Sequence, residues 1–176
     1  MADTDPPIAV FAYGSNLCVE RMAARVDKVR TISVGQVRGY VLRFNKKSRD
    51  GSAKANAHRT DHERDCVWGA VYALSVDDKR KLDGFEGLGR DYFESEVDVR
   101  TIDGRVIRAW LYWANPAYTH EGIAPYAWYK RFCFEGARHH GFPDAYIEAI
   151  ARVESIADPD SARNDRETEV FTRTKR

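Results

Sequence analysis

Ile8-Ala9-Val10-Phe11-Ala12-Tyr13-Gly14-Ser15-Asn16 sets the entry into the fold. The five apolar residues read as an extended run that breaks at Gly-Ser-Asn. Beyond the break, Cys18, Met22 and Val26 recur at four-residue spacing, which predicts a short helix over Leu17–Val26 with one apolar stripe. A strand that turns into a helix leaves backbone N–H groups without partners, and these form a natural receptor for a carboxylate or phosphate. The ordinary explanation is a turn with an N-cap, because Gly, Ser and Asn are favoured there in any protein.

Working outward, residues 31–45 carry Gly35 and Gly39 among β-forming residues and predict one long strand or two short ones with a glycine bend. Residues 46–65 are polar and read as a solvated loop, with a short strand near Ser52–Ala57. Cys66–Leu74 is a dense β-forming run. Ser75 then resembles an N-cap with Asp78 three residues on, opening a helix that should bury Val76, Leu82 and Phe85 and stop among Gly84, Gly87 and Gly89.

Strands at Tyr92–Arg100 and Val106–Ala114 are joined through Asp103-Gly104, a hairpin signal. Helical spacing returns from Pro125 to Arg138, with Tyr126, Tyr129, Phe132, Cys133 and Ala137 on one stripe, and a last helix starts at Pro143. The order is that of an α+β protein around a largely antiparallel or mixed sheet. Residues 1–157 form one domain, and 158–176 read as a loose polar tail.

Composition narrows the function classes. The chain has 176 residues, 31% charged, with a formal net charge of +1, which gives no global reason to expect nucleic acid or a membrane as partner. The polar, acidic N-terminus is unlike a signal peptide, and three widely spaced cysteines (Cys18, Cys66, Cys133) suit reduced thiols in a cytoplasmic protein. His58 and His62 lie near Asp61, Glu63 and Asp65, but a polar loop has no helix to align them as metal ligands. The basic residues Arg43, Lys46, Lys47, Arg49, Lys54 and Arg59 have no aromatic residues interleaved with Lys46–Arg59, as a nucleic-acid stacking platform requires.

The second informative stretch is Leu82-Asp83-Gly84-Phe85-Glu86-Gly87. A carboxylate beside an aromatic ring loses solvent, which suits Glu86 to proton transfer; the plain alternative is a solvated acid at a helix end. Asp83, Glu94 and Glu96 are rival acids, with Asp83 expected on a helical surface.

Together the two stretches resemble the gamma-glutamylcyclotransferase (AIG2-like) family, which pairs a Tyr-Gly-Ser-Asn loop with a glutamate in an Asp-x-x-Glu-Gly setting. The similarity runs on through Val67-Trp68-Gly69-Ala70-Val71-Tyr72 and Tyr92 to Trp128-Tyr129-Lys130-Arg131, over roughly residues 8–142. The resemblance implies a small mixed β-barrel flanked by helices. It implies that Tyr13, Gly14, Ser15 and Asn16 hold the glutamyl end of a small gamma-glutamyl substrate, and that Glu86 is the catalytic acid/base. Tyr129 matches a substrate-contacting tyrosine, and Tyr92 is a further candidate. The implied reaction releases 5-oxoproline and a free amine, and it calls for no metal or organic cofactor. A homodimer is compatible with this reading. A non-catalytic binding module on the same fold is the alternative, and retention of Glu86 argues against it.

Overall fold

The computed structural model describes residues 6–173, so the acidic residues 1–5, read above as unlike a signal peptide, lie outside the described residues. Strands β1 (Ile8–Ala12), β2 (Arg30–Arg38), β5 (Cys66–Leu74), β6 (Tyr92–Thr101) and β7 (Val106–Ala114) close into a barrel in the order β1-β5-β2-β6-β7. Every pairing is antiparallel except the one that closes the barrel, where β7 runs parallel to β1. The expected small mixed barrel with helices is therefore the observed architecture.

The apolar runs explain the closure. Val10, Phe11, Val67, Val71, Tyr72, Val99 and Leu111 are buried inside or around it. Burying each large side chain contributes about 1.5–3 kcal/mol relative to leaving it exposed.

The polar stretch 46–65 holds the short strand expected near Ser52–Ala57, extended here to Arg59, while its first two residues, read as loop, end the strand before it. β3 (Tyr40–Lys47) and β4 (Ala53–Arg59) form a separate antiparallel ribbon, reached from β2 through a bend at Gly39, whose φ of +77° suits glycine. Its inner face is made by Ala53, Ala55 and Ala57, all buried. Alanine alternation is a faint signal, because small side chains carry little β-propensity.

Helix α1 (Val19–Ala23) is shorter than the stripe predicts, since a 3-10 turn at Ser15–Leu17 takes up the start of the segment. α2 (Val76–Glu86) begins as expected, with Ser75 Oγ accepting from the Asp78 N–H at 3.1 Å. It buries Leu82, but Phe85 is 60% exposed, which corrects the expectation of a buried ring.

α3 (Ala127–His139) presents its predicted apolar stripe to the core and packs on the turn after β1. Gly136 permits the contact, since a Cβ there would overlap Leu17 and stand 2.8 Å from the Cys18 nitrogen. α4 (Asp144–Arg152) follows Pro143.

Beyond residue 158, where the sequence reads as a loose tail, the chain forms α5 (Ser161–Arg173). Its Phe171 packs at a tilt against Phe132, 4.8 Å between centroids, and its Glu167 pairs with Arg21. Two adjacent apolar residues within a charged segment were too few to mark that anchoring face. No helix among the described residues is long and apolar enough to cross a membrane.

Candidate active site

The turn after β1 and the end of α2 meet at one wall of a cavity. In the turn, Leu17 N–H bonds to Gly14 C=O at 3.0 Å and Cys18 N–H to Ser15 C=O at 3.2 Å. The N–H groups of Ser15 and Asn16 stand outside that ladder, as the first donors of any helical turn do. The Asn16 side chain turns to the other wall, where Nδ2 donates to Glu86 Oε1 at 2.8 Å.

Glu86 is the last residue of α2, and Gly87 caps the helix in the left-handed region at φ 64°. A carboxylate at a helix C-terminus faces the negative end of the helix dipole. Arg25 offsets this, donating from Nη1 to Glu86 Oε1 at 2.9 Å and to Asn16 Oδ1 at 2.8 Å. The pair is sheltered, with 17% of the Arg25 side chain and 14% of the Glu86 side chain exposed. Burial lowers the Arg25 guanidinium from its ordinary value, and the neighbouring Glu86 pushes it back up.

Both bonds to Glu86 use Oε1. No side-chain polar atom among the described residues is buried without a partner, so Oε2, which has none, keeps some exposure, and Glu86 is part of the cavity lining. The shelter comes from Asn16 and Arg25 rather than from the exposed ring of Phe85, as the sequence had suggested. Asp83 is not surface either: it accepts from Tyr112 Oη at 2.6 Å and pairs with Lys79, which also holds Glu94 at 2.7 Å. Those two rival acids are committed to Lys79, and Glu96 is exposed.

The three tyrosines are placed by their hydroxyls. Tyr13 donates to the Tyr112 carbonyl at 2.6 Å. Tyr129 accepts from the Ala55 N–H at 3.0 Å, and Tyr92 donates to the Ala55 carbonyl at 2.8 Å. Burial is the main force raising the phenol pKa of all three, so they stay neutral and serve as hydrogen-bonding and packing groups. Their rings border a recess of about 40 Å³ that also takes in Gly14, Ser15, Asn16 and Glu86. The recess shares Ser15, Glu86, Tyr92 and Tyr129 with an outer cavity of about 310 Å³. All seven residues picked from the sequence are thus brought together.

Sequence reasoning missed the cations of the outer cavity. Lys46 and Lys54, assigned to a solvated loop, pair across the β3–β4 ribbon and line the outer cavity. Lys46 is 5% exposed and pairs with Asp91 at 2.8 Å, while Lys54 pairs with Asp50 at 2.8 Å and stands 4.6 Å from the Trp128 ring centre. Arg21 donates from Nε to Ser15 Oγ at 3.2 Å. The signal for Arg21 and Arg25 was their four-residue spacing directly after the loop, off the stripe of Met22 and Val26.

Other candidate chemistry does not assemble. His58 lies on β4 and His62 in the exposed segment after it, and no group of three or more His, Cys, Asp or Glu positioned for a metal occurs among the described residues. Burial pushes the Cys18 thiol up to about 11 and the Cys133 thiol up to about 12, which leaves both poor nucleophiles at neutral pH. A second cavity of about 290 Å³, between the ribbon and β6–β7, has no carboxylate in its lining.

Comparison with known proteins points the same way. Residues 66–150 match the AIG2-like family. The gamma-glutamylcyclotransferase of Bos taurus is 30% identical over 148 residues, spanning 82% of this chain and 77% of the relative. That of Homo sapiens is 29% identical over 154 residues with the same coverage. A solved gamma-glutamyl cyclotransferase superposes with a TM-score of 0.76 at 27% identity, covering 85% of this chain and 89% of that one.

Proposed function

We propose that this chain, which belongs to the gamma-glutamylcyclotransferase family and is an enzyme of that type, uses Glu86 as the single acid/base that cyclises a gamma-glutamyl amide to 5-oxoproline. The observation that carries the reading is the Glu86 carboxylate, which lines the cavity and is tied through Oε1 to Asn16 and Arg25 while Oε2 has no partner.

The substrate's α-carboxylate sits on the free N–H groups of Ser15 and Asn16, with Ser15 Oγ beside it. Tyr92 and Tyr129 wall the glutamyl chain and hold its folded-back rotamer. The nucleophile is already tethered to its electrophile, so freezing that rotamer supplies much of the rate.

Glu86 takes a proton from the α-ammonium, and the freed nitrogen attacks the γ-carbonyl. A carbon–nitrogen bond forms to close the ring, and the original amide carbon–nitrogen bond breaks. Of the three ammonium protons, one stays on the ring nitrogen and two end on the departing amine, which Glu86 helps to deliver. No water is consumed.

Glu86→Gln keeps the size and the contact with Arg25 but cannot accept a proton. The expected result is loss of 5-oxoproline release by about 10²–10⁴-fold with substrate binding retained. Turnover within a few-fold of the parent enzyme would refute Glu86 as the acid/base.

A further inference from the structure

We infer that the outer cavity is built for a leaving group with two carboxylates, so that the preferred substrate is a gamma-glutamyl dipeptide whose second residue is acidic. The inference rests on the cyclotransferase reading and deepens it at the end of the substrate that the Tyr-Gly-Ser-Asn loop does not touch.

Six cationic side chains line the outer cavity: Arg21, Arg25, Lys46, Arg49, Lys54 and Arg90. Four carboxylates answer them. Glu167 pairs with Arg21, Glu86 with Arg25, Asp50 with Lys54, and Asp91 is shared between Lys46 and Arg90. Two positive charges remain in excess.

The excess is localised. Arg49, in the turn between β3 and β4, makes no ion pair or hydrogen bond among the described residues. The other unit belongs to Lys46 and Arg90, which divide one aspartate. Lys46 is almost fully buried, and a buried cation that shares its counter-ion is costly until another anion arrives.

The gamma-glutamyl part of the substrate cannot supply that anion. It binds as a zwitterion, with no net charge, and its carboxylate is met by the loop. The balance therefore falls to the departing amine. A simple alkylamine brings no charge, an amino acid with a neutral side chain brings one, and glutamate or aspartate brings two.

Gamma-glutamyl-glutamate and gamma-glutamyl-glutamine have nearly the same shape and differ by one charge, so comparing them isolates the effect. With 5-oxoproline release as the readout, kcat/KM for the glutamate substrate should exceed that for the glutamine substrate by about tenfold at low salt. The ratio should shrink as ionic strength rises, because Arg49 and Arg90 are exposed. Arg49→Glu, a change in an exposed turn, should bring the ratio to one or below.

A ratio of one or less in the parent enzyme, or a preference that neither salt nor Arg49→Glu reduces, overturns the inference and leaves the cyclotransferase reading standing. Absence of 5-oxoproline from both dipeptides and from a gamma-glutamyl alkylamine would overturn both.

Discussion

Asn16 Nδ2 donates to Glu86 Oε1 at 2.8 Å, joining the turn after β1 to the end of α2 across 70 residues of sequence. The bond ties the proposed acid/base to the loop proposed to hold the substrate, and Arg25 closes the triangle from the turn that follows α1. A shift of either element would then displace the carboxylate relative to the loop, and small misplacements at a reacting centre are expensive.

Asn16→Asp tests that tie, because it keeps the shape but removes the donor and sets a second carboxylate against Glu86. It also offers Arg25 a competing partner. The expected outcome is a fall in kcat of at least about tenfold with the fold intact, checked by steady-state kinetics beside a thermal melt. An unchanged kcat would show that the contact orients nothing.

Ala55 carries a different kind of dependence. Its N–H is taken by Tyr129 and its C=O by Tyr92, so the two tyrosines fasten the β3–β4 ribbon to the barrel and to α3. Tyr129→Phe leaves a buried N–H without an acceptor, at a cost of about 1–3 kcal/mol in unfolding free energy. Tyr92→Phe should cost less, since a carbonyl short of one partner is better tolerated than an orphaned N–H. Urea unfolding of the two variants gives the comparison, and a larger loss for Tyr92→Phe would contradict this account of the ribbon.

The elements that were legible in the sequence are those whose cues were local and strong. Cys66–Leu74 was marked by a dense run of β-formers, α2 by Ser75 and Asp78, and the stripe of α3 by residues such as Tyr129 and Phe132 that are all buried. Glu86 and the Tyr-Gly-Ser-Asn turn came from motif and order. What escaped notice depended on distant partners. Lys46 and Lys54 look like solvated charges until Asp91, Asp50 and the ring of Trp128 surround them. Phe85 misled in the opposite direction, because it sits at the cavity mouth with the Arg25 guanidinium 5.4 Å from its ring centre. Only the tertiary fold decides which side of a short helix faces inward there.

The reach of α5 into the site gives a further test. Glu167 pairs with Arg21 Nη1 at 2.5 Å, and Arg21 donates through Nε to Ser15 Oγ at 3.2 Å, so a helix in the last part of the chain is linked to a residue of the loop proposed to hold the substrate. Arg21 is held on its other face by the Phe132 ring, 4.4 Å from the guanidinium carbon. Glu167 touches neither Glu86 nor the recess, which makes it a positioning residue. Glu167→Gln keeps the size and loosens the pair by an amount typical of a partly exposed ion pair, up to about 1 kcal/mol, or roughly fivefold in an equilibrium constant. KM for the gamma-glutamyl substrate should therefore rise by about two- to fivefold while kcat stays within about twofold, because the contact serves binding of the ground state and transition state alike. Glu167→Asp, which retains the charge, should recover part of the loss. If KM is unchanged and only the melting temperature falls, α5 braces the fold and has no part in holding Ser15.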